Sequence, residues 1–210
     1  MKLSPPDVEL FMHLILQVQW YAQQQGQVLP KINSLADYTD TSSREKVAVR
    51  DYLFDHSELI DSFIQANPAK LSSDELAIVS SWKTFVRGKF IIERLLKKHA
   101  IFIDTSECVY GVVGLQQELS DMIDKRSLPV YVHALLLPFK GQIVYDGLLG
   151  FANLSFGGGM RSGFKETYLI AKDNDAIIES LDESLDEDAI ASTPKPSKSK
   201  AKPSKDWTPL

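Results

Sequence analysis

The sequence predicts an α+β fold, in which N-terminal helices pack on a small antiparallel sheet or half-open barrel of about five strands. Up to about residue 87, apolar residues recur every three or four positions, which is the period of amphipathic helices. From residue 88 onward, short runs of β-branched and aromatic residues predict strands. Because the two patterns occupy separate parts of the chain, they favour segregated helices and strands over an alternating α/β fold. One further helix and a disordered C-terminal tail complete the prediction.

Residue patterns near the N-terminus predict the first two helices. Ser4 offers a capping hydroxyl and is followed by two prolines, so the first helix is expected to begin there and to run to about Gly26. Ser43 is expected to cap the second helix, which leaves residues 27–42 as a loop.

The change from helices to strands is predicted near Gly88. Ser72 and Glu75 have the spacing of a capping box and introduce a third long helix, which Gly88 is expected to end. The next run, Phe90–Leu96, has two interpretations: it continues the helix, or it is a strand, which its β-branched and aromatic content favours. The clearest strand signal is a hairpin over residues 130–146, where two apolar runs flank a short turn that contains proline and glycine.

Charge and residue counts exclude some classes of function. The net charge of −5 argues against a general nucleic-acid binder, although the basic stretch from Arg87 to Lys98 leaves a local nucleic-acid surface as an alternative. Cys108 is the only cysteine, so no intramolecular disulfide forms, and it is expected to be a small strand residue. The four histidines lie far apart in the sequence, and we expect neither a metal site nor a cofactor.

The chain is expected to form one folded domain over residues 4–175, with a helical part to residue 87 and a β-rich part from residue 88. No apolar run approaches the roughly 20 residues that span a bilayer. The N-terminus lacks the basic-then-apolar order of a secretory signal. We therefore expect no membrane segment and a cytoplasmic protein.

Three consecutive glycines follow the predicted hairpin and open a helix that carries two cations. Glycines let the backbone approach a ligand closely, and free amides point outward at a helix start, so this turn is a candidate site for a small anion. The alternative is a tight connection where two backbones pack closely. The candidate residues are Gly157, Gly158, Gly159, Arg161, Ser162 and Lys165.

Two aspartates are the candidates for catalysis. Asp146 lies at the end of the hairpin beside Tyr145, where a carboxylate could act as a general acid or base. Asp104 follows another predicted strand and is expected near Asp146, at the same end of the sheet. The alternative is that Asp146 and Gly147 only turn the chain. No serine lies in a G-x-S-x-G pattern, so a hydrolase of that kind has no support.

The tail over residues 176–210 is first acidic and then rich in lysine, proline and serine, with few apolar residues to offset the entropy of ordering. Leu181 and Leu185 have the spacing of an acidic amphipathic helix. Trp207 and Leu210 are typical of the apolar anchors in docking peptides. We expect these four residues to bind a protein partner.

Four stretches of the chain carry a likeness to known proteins: Tyr52–Ile60, Trp82–Phe90, Leu137–Leu149 and Phe156–Gly159. Together they resemble a group of uncharacterised prokaryotic proteins over the middle two-thirds of the chain. The resemblance implies no particular activity.

In the absence of a catalytic pattern, the sequence favours a non-catalytic binding or adaptor protein. Its tail would dock on a protein partner, and its glycine-rich turn is a candidate site for a small anionic ligand. The alternative is a small enzyme or nucleic-acid-acting protein that binds phosphate at the Gly157–Gly159 turn. In that case Asp146 or Asp104 would be the acid or base.

Overall fold

The structure, a computed structural model, describes residues 2–181. Within this range, helices come first, strands follow, and one long helix lies near the end. The helices are α1 (Pro5–Gly26), α2 (Leu35–Thr39), α3 (Ser43–Asp55), α4 (Glu58–Ala66), α5 (Ser73–Ser81), α6 (Leu119–Met122) and α7 (Gly158–Asp173). The strands are β1 (Val86–Leu95), β2 (Ala100–Asp104), β3 (Val109–Val113), β4 (Val130–Phe139), β5 (Gln142–Tyr145), β6 (Gly150–Ala152) and β7 (Ile177–Ile178).

Five strands pair in a ring, in the order β1, β2, β3, β5 and β4, and β4 pairs with β1 to complete it. β6 adds to β4, and β7 adds to β3. The predicted α+β class and the strand assignment of the Phe90–Leu96 run are confirmed. The sheet is mixed, since β3 pairs in parallel with β5 and β7, and its ring of strands is not the half-open barrel offered as an alternative.

The main core lies between the N-terminal helices and the sheet. Phe11 of α1 is fully buried and contacts two other rings edge-on, with centroids 5.6 Å from Trp82 and 5.4 Å from Phe139. These contacts join α1, the 3₁₀ turn after α5 and the end of β4. Aromatic pairs in this geometry add about 0.5–1.5 kcal/mol each to the free energy gained by burial.

A second, smaller core lies on the other face of the sheet, beneath α7. Because successive side chains of a strand point to opposite faces, β2 contributes Phe102 to the main core and its neighbours to the smaller one. The buried members of the smaller core are Ile101, Ile103, Val109, Tyr168 and Ala171. The fold therefore has three layers, with α1–α5 on one face of the sheet and α7 on the other.

Two predicted boundaries are wrong. The cap of α3 is Ser42, not Ser43, because only Ser42 stands three residues before Glu45 and closes a capping box with it. Gly88 does not end a helix but lies inside β1, opposite Ala134 of β4. Pairing with β4 begins at Val86, so it takes up residues that the local pattern assigned to the helix.

Three elements were not predicted: α2, β6 and β7. α2 lies within the expected loop over residues 27–42, where Ser34 caps it and Tyr38 is fully buried. β7 lies beyond the predicted domain boundary at residue 175 and pairs with the start of β3. The expectation of a disordered tail over residues 176–210 is wrong for residues 176–181, which include β7. Residues 182–210 lie outside the described residues.

The position of the α3 cap can be tested by comparing two neighbouring serines. We expect Ser42→Ala to lower the free energy of unfolding by about 1 kcal/mol, because the hydroxyl accepts a bond from the backbone N–H of Glu45. Ser43→Ala is the matched control and should be nearly neutral, since Ser43 is the first helical residue. Urea denaturation of both variants measures the difference. Equal losses would contradict the assignment.

Candidate functional site

α7 is held on the sheet by one face only. Tyr168 and Ala171 are buried against Ile101, Ile103 and Val109. The guanidinium carbon of Arg94, on β1, lies 3.8 Å from the centre of the Tyr168 ring, which is cation–π geometry. These contacts fix the rotation of α7 about its axis and so determine which flank remains uncovered.

The uncovered flank of α7 forms one wall of a groove with a volume of about 670 Å³, here called the α7 groove. Met160, Gly163, Thr167 and Ile170 lie three or four residues apart, so they share this flank. The other lining residues come from the sheet and from the segment before α7. They include Ile91, Ile103, Tyr131, Leu154 and Phe156.

Exposed apolar side chains concentrate around the α7 groove. Among the described residues, eight large apolar side chains are exposed, and five of them lie between residues 151 and 170. Leu154, Met160 and Ile170 line the groove and expose 53%, 55% and 57% of their surface. Clustered apolar exposure of this kind is typical of interaction sites, whereas single exposed residues are ordinary.

The rim of the α7 groove is acidic. Three carboxylates line it, those of Asp104, Glu107 and Glu166, against one cation, Lys89. The Asp104 carboxylate accepts bonds from the backbone N–H groups of Ser106 and Cys108, at 2.8 and 3.0 Å, and from the Tyr110 hydroxyl. These bonds hold the carboxylate in the turn after β2.

Asp146 occupies a different environment, sealed between α3 and the sheet. Its side chain has no exposed surface, and its Oδ2 lies 3.4 Å from Nη1 of Arg50 on α3. Its Oδ1 accepts a bond of 3.1 Å from the backbone N–H of Leu148. Burial raises the pKa of Asp146 to about 6, and Arg50 opposes that rise.

The structure does not bring Asp104 and Asp146 together. Asp104 follows Ile103, which pairs with Val109, the first residue of β3. Asp146 lies two residues beyond Val144, which pairs with the last residue of β3. The two aspartates therefore lie at opposite ends of the sheet, and the expectation that they share one end is wrong. Only Asp104 lies beside the α7 groove.

The glycine-rich turn opens α7 as predicted, with Gly157 as the N-cap. All six candidate residues of the anion site are exposed, and a Cβ on any of the three glycines would meet no atom within 4 Å. Arg161 donates to the backbone carbonyls of Phe156 and Leu128, both at 3.0 Å, so it fastens two loops together. The anion site stays a prediction.

Of the predicted partner-binding residues, Leu181 is half-buried and packs against the main core. Leu185, Trp207 and Leu210 lie outside the described residues.

Within residues 2–181, no three histidine, cysteine, aspartate or glutamate residues are grouped so that they could hold a metal ion. No helix in this range is long and apolar enough to cross a bilayer.

The sequence prediction missed the α7 groove. The prediction rested on the first turn of α7 alone. A second signal is the spacing of three, four and three positions that separates Met160, Gly163, Thr167 and Ile170. This spacing is present in the sequence, and it predicts that the four residues share one flank of the helix. The sequence carries no local signal for the opposite wall, because Tyr131 reaches it through the pairing of β4, and Leu154 follows β6, which pairs with β4.

The pH dependence of stability tests the environment of Asp146. Its folded pKa of about 6 lies above the ordinary value of 3.8, so the folded state holds this proton more tightly than the unfolded state. The stabilisation from this proton should be lost as the pH rises from 3.8 to about 6. The stability advantage of the wild type over Asp146→Asn should therefore shrink between those two pH values and stay constant above.

Urea denaturation at several pH values measures this difference. Asp51→Asn is the matched control, since Asp51 also contacts Arg50 but is partly exposed. It should keep the wild-type trend, because Asp146 still titrates in that variant. Parallel curves for the wild type and Asp146→Asn would show that Asp146 has an ordinary pKa.

Comparisons with protein-family models, with curated proteins and with solved structures find no match for this chain.

Proposed function

We propose that this protein is a non-catalytic binding protein, and that the α7 groove binds a short peptide with a bulky apolar anchor beside positive charge. The observation that carries the proposal is the cluster of exposed apolar side chains in a groove with an acidic rim. Exposed apolar side chains lose unfavourable contact with water when another apolar group covers them, which favours binding.

The dimensions of the α7 groove support a peptide as the ligand. Met160 and Ile170 are ten residues apart on α7, which corresponds to about 15 Å along the helix axis. An extended peptide advances about 3.3 Å per residue, so the groove accommodates about five residues. Gly163, between Met160 and Ile170, leaves space along this wall because its Cβ position meets no atom within 4 Å.

The apolar walls and the acidic rim of the groove are expected to contribute differently to the binding free energy of a peptide. Full burial of one large apolar side chain stabilises a complex by about 1.5–3 kcal/mol, which gives the anchor most of the affinity. The exposed carboxylates of Glu107 and Glu166 add less, because water and salt screen them. Their contribution is to selectivity, since they disfavour acidic peptides.

The positions of the two candidate catalytic aspartates support a binding role over an enzymatic one. Asp146 is sealed beneath α3 and is occupied by Arg50 and Leu148, so a substrate cannot approach it. Asp104 lines the groove, but its carboxylate accepts three hydrogen bonds, two from its own turn and one from Tyr110 of β3. In the proposal, both carboxyl groups make contacts within the fold and neither acts on a substrate. The docking of Trp207 and Leu210 on a protein partner, which the sequence predicts, remains a second part of the adaptor hypothesis.

Selection of 12-residue peptides from a random phage-displayed library against the full chain tests the proposal. We expect enriched peptides to combine Trp, Phe, Leu or Met with Lys or Arg. Ile170→Lys should weaken their binding at least tenfold, because it places a cation where the apolar anchor is expected, and 1.4 kcal/mol corresponds to tenfold. Isothermal titration with the selected peptides measures the change.

The matched control is Leu169→Lys, which makes the same change on the neighbouring residue of α7. Leu169 is exposed but does not line the groove, so binding should be unchanged. Glu166→Gln should reduce the preference for Lys and Arg, whereas Asp173→Asn, outside the groove, should not. Selected peptides that bind both lysine variants equally well would place the site elsewhere.

A further inference from the structure

We propose that, in the free protein, the α7 groove is occupied by the chain's own segment Asp206–Leu210, with Trp207 as the anchor. This inference rests on the proposed function, because it assigns a resident ligand to the same groove. It adds a regulatory property: an external peptide must displace the segment before it binds.

The chemistry of the segment matches that of the groove. Trp207 and Leu210 are bulky and apolar, and they suit walls made of Met160 and Ile170. Lys205 directly precedes the segment, and four further lysines lie between residues 195 and 202. This basic stretch complements the three carboxylates of the rim.

The acidic block over residues 182–188 attracts the same lysines, which weakens the electrostatic contribution to docking. Specificity therefore depends mainly on the tryptophan. A large ring carries more contact area than any other side chain of the segment, and aromatic anchors dominate binding energies in such interfaces.

The length of the chain allows the segment to reach the groove. Glu179 contacts His99 at 3.6 Å, which places the end of the described chain near the start of β2. Asp104, at the other end of β2, lines the groove, and the five residues of β2 span only about 13 Å. Twenty-four residues lie between Leu181 and Asp206, and a chain of that length reaches up to roughly 80 Å.

The size of the segment also fits. Five extended residues span about 17 Å, close to the length of about 15 Å along α7 from Met160 to Ile170. Because the segment is tethered, its effective concentration at the groove is about millimolar. Even a weak intrinsic affinity would then keep the groove occupied and lower the apparent affinity for external peptides.

Fluorine NMR of the full chain labelled with 5-fluorotryptophan tests this inference. The chain has three tryptophans, and the signal that Trp207→Phe removes is that of Trp207. We expect this signal to differ from that of a free synthetic peptide of residues 201–210. In Ile170→Lys it should move to the position of the free peptide, and in Leu169→Lys it should not move.

Leu154→Lys, on the opposite wall, repeats the test without changing α7. Leu154 is more than half exposed, so the substitution should not disturb folding. A Trp207 signal that coincides with the free peptide in the wild type, or that ignores both groove variants, would overturn the inference. A shift that disappears on dilution would also overturn it, since a second copy would then supply the segment.

Peptide binding to a variant with a weakened C-terminal segment tests this inference separately from the proposed function. Peptides selected on the groove should bind Trp207→Ala at least threefold more tightly than the wild type, because the resident segment is weakened. If they bind both chains equally well, the groove is a peptide site without a resident segment. If Trp207 responds to the groove variants but no peptide is selected, the groove serves the chain's own segment only.

Discussion

A buried ion pair between Arg50 and Asp146 joins α3 to the sheet. Each buried ion loses several kcal/mol of hydration, so the pair is tolerated only where the partners compensate each other and further hydrogen bonds are made. Here the Asp146 carboxylate also accepts a bond from the Leu148 N–H, and its own N–H donates to Leu135 of β4. The pair thereby ties α3 to the point where the chain leaves β5.

The same pair lies on the face of the sheet that the N-terminal helices cover. The N-terminal helices take one face and bury the larger core, so α7 alone covers part of the other. One helix with a narrow buried face cannot cover both flanks, and the flank with Met160 and Ile170 stays open. The α7 groove follows from this unequal division, and the charges of the turn after β2 make its rim acidic.

Local signals in the sequence predicted the elements that local physics controls. The Ser4 cap, the box formed by Ser72 and Glu75, and the hairpin over residues 130–146 were correctly identified, because each depends on residues that are close in the chain. The errors at Ser43 and Gly88 have different causes. The first was a choice between adjacent serines, and the second arose because long-range pairing with β4 overrode the local pattern.

The sequence by itself determined the α+β class, the succession of N-terminal helices followed by strands, and the long helix that begins at the glycine-rich turn. Only the tertiary structure decided that Asp104 and Asp146 lie at opposite ends of the sheet, since this follows from the parallel pairing of β3 with β5. It also decided which flank of α7 remains open. The physical reason is the same in both cases: pairing between distant strands places residues together or apart, and no local pattern encodes that pairing.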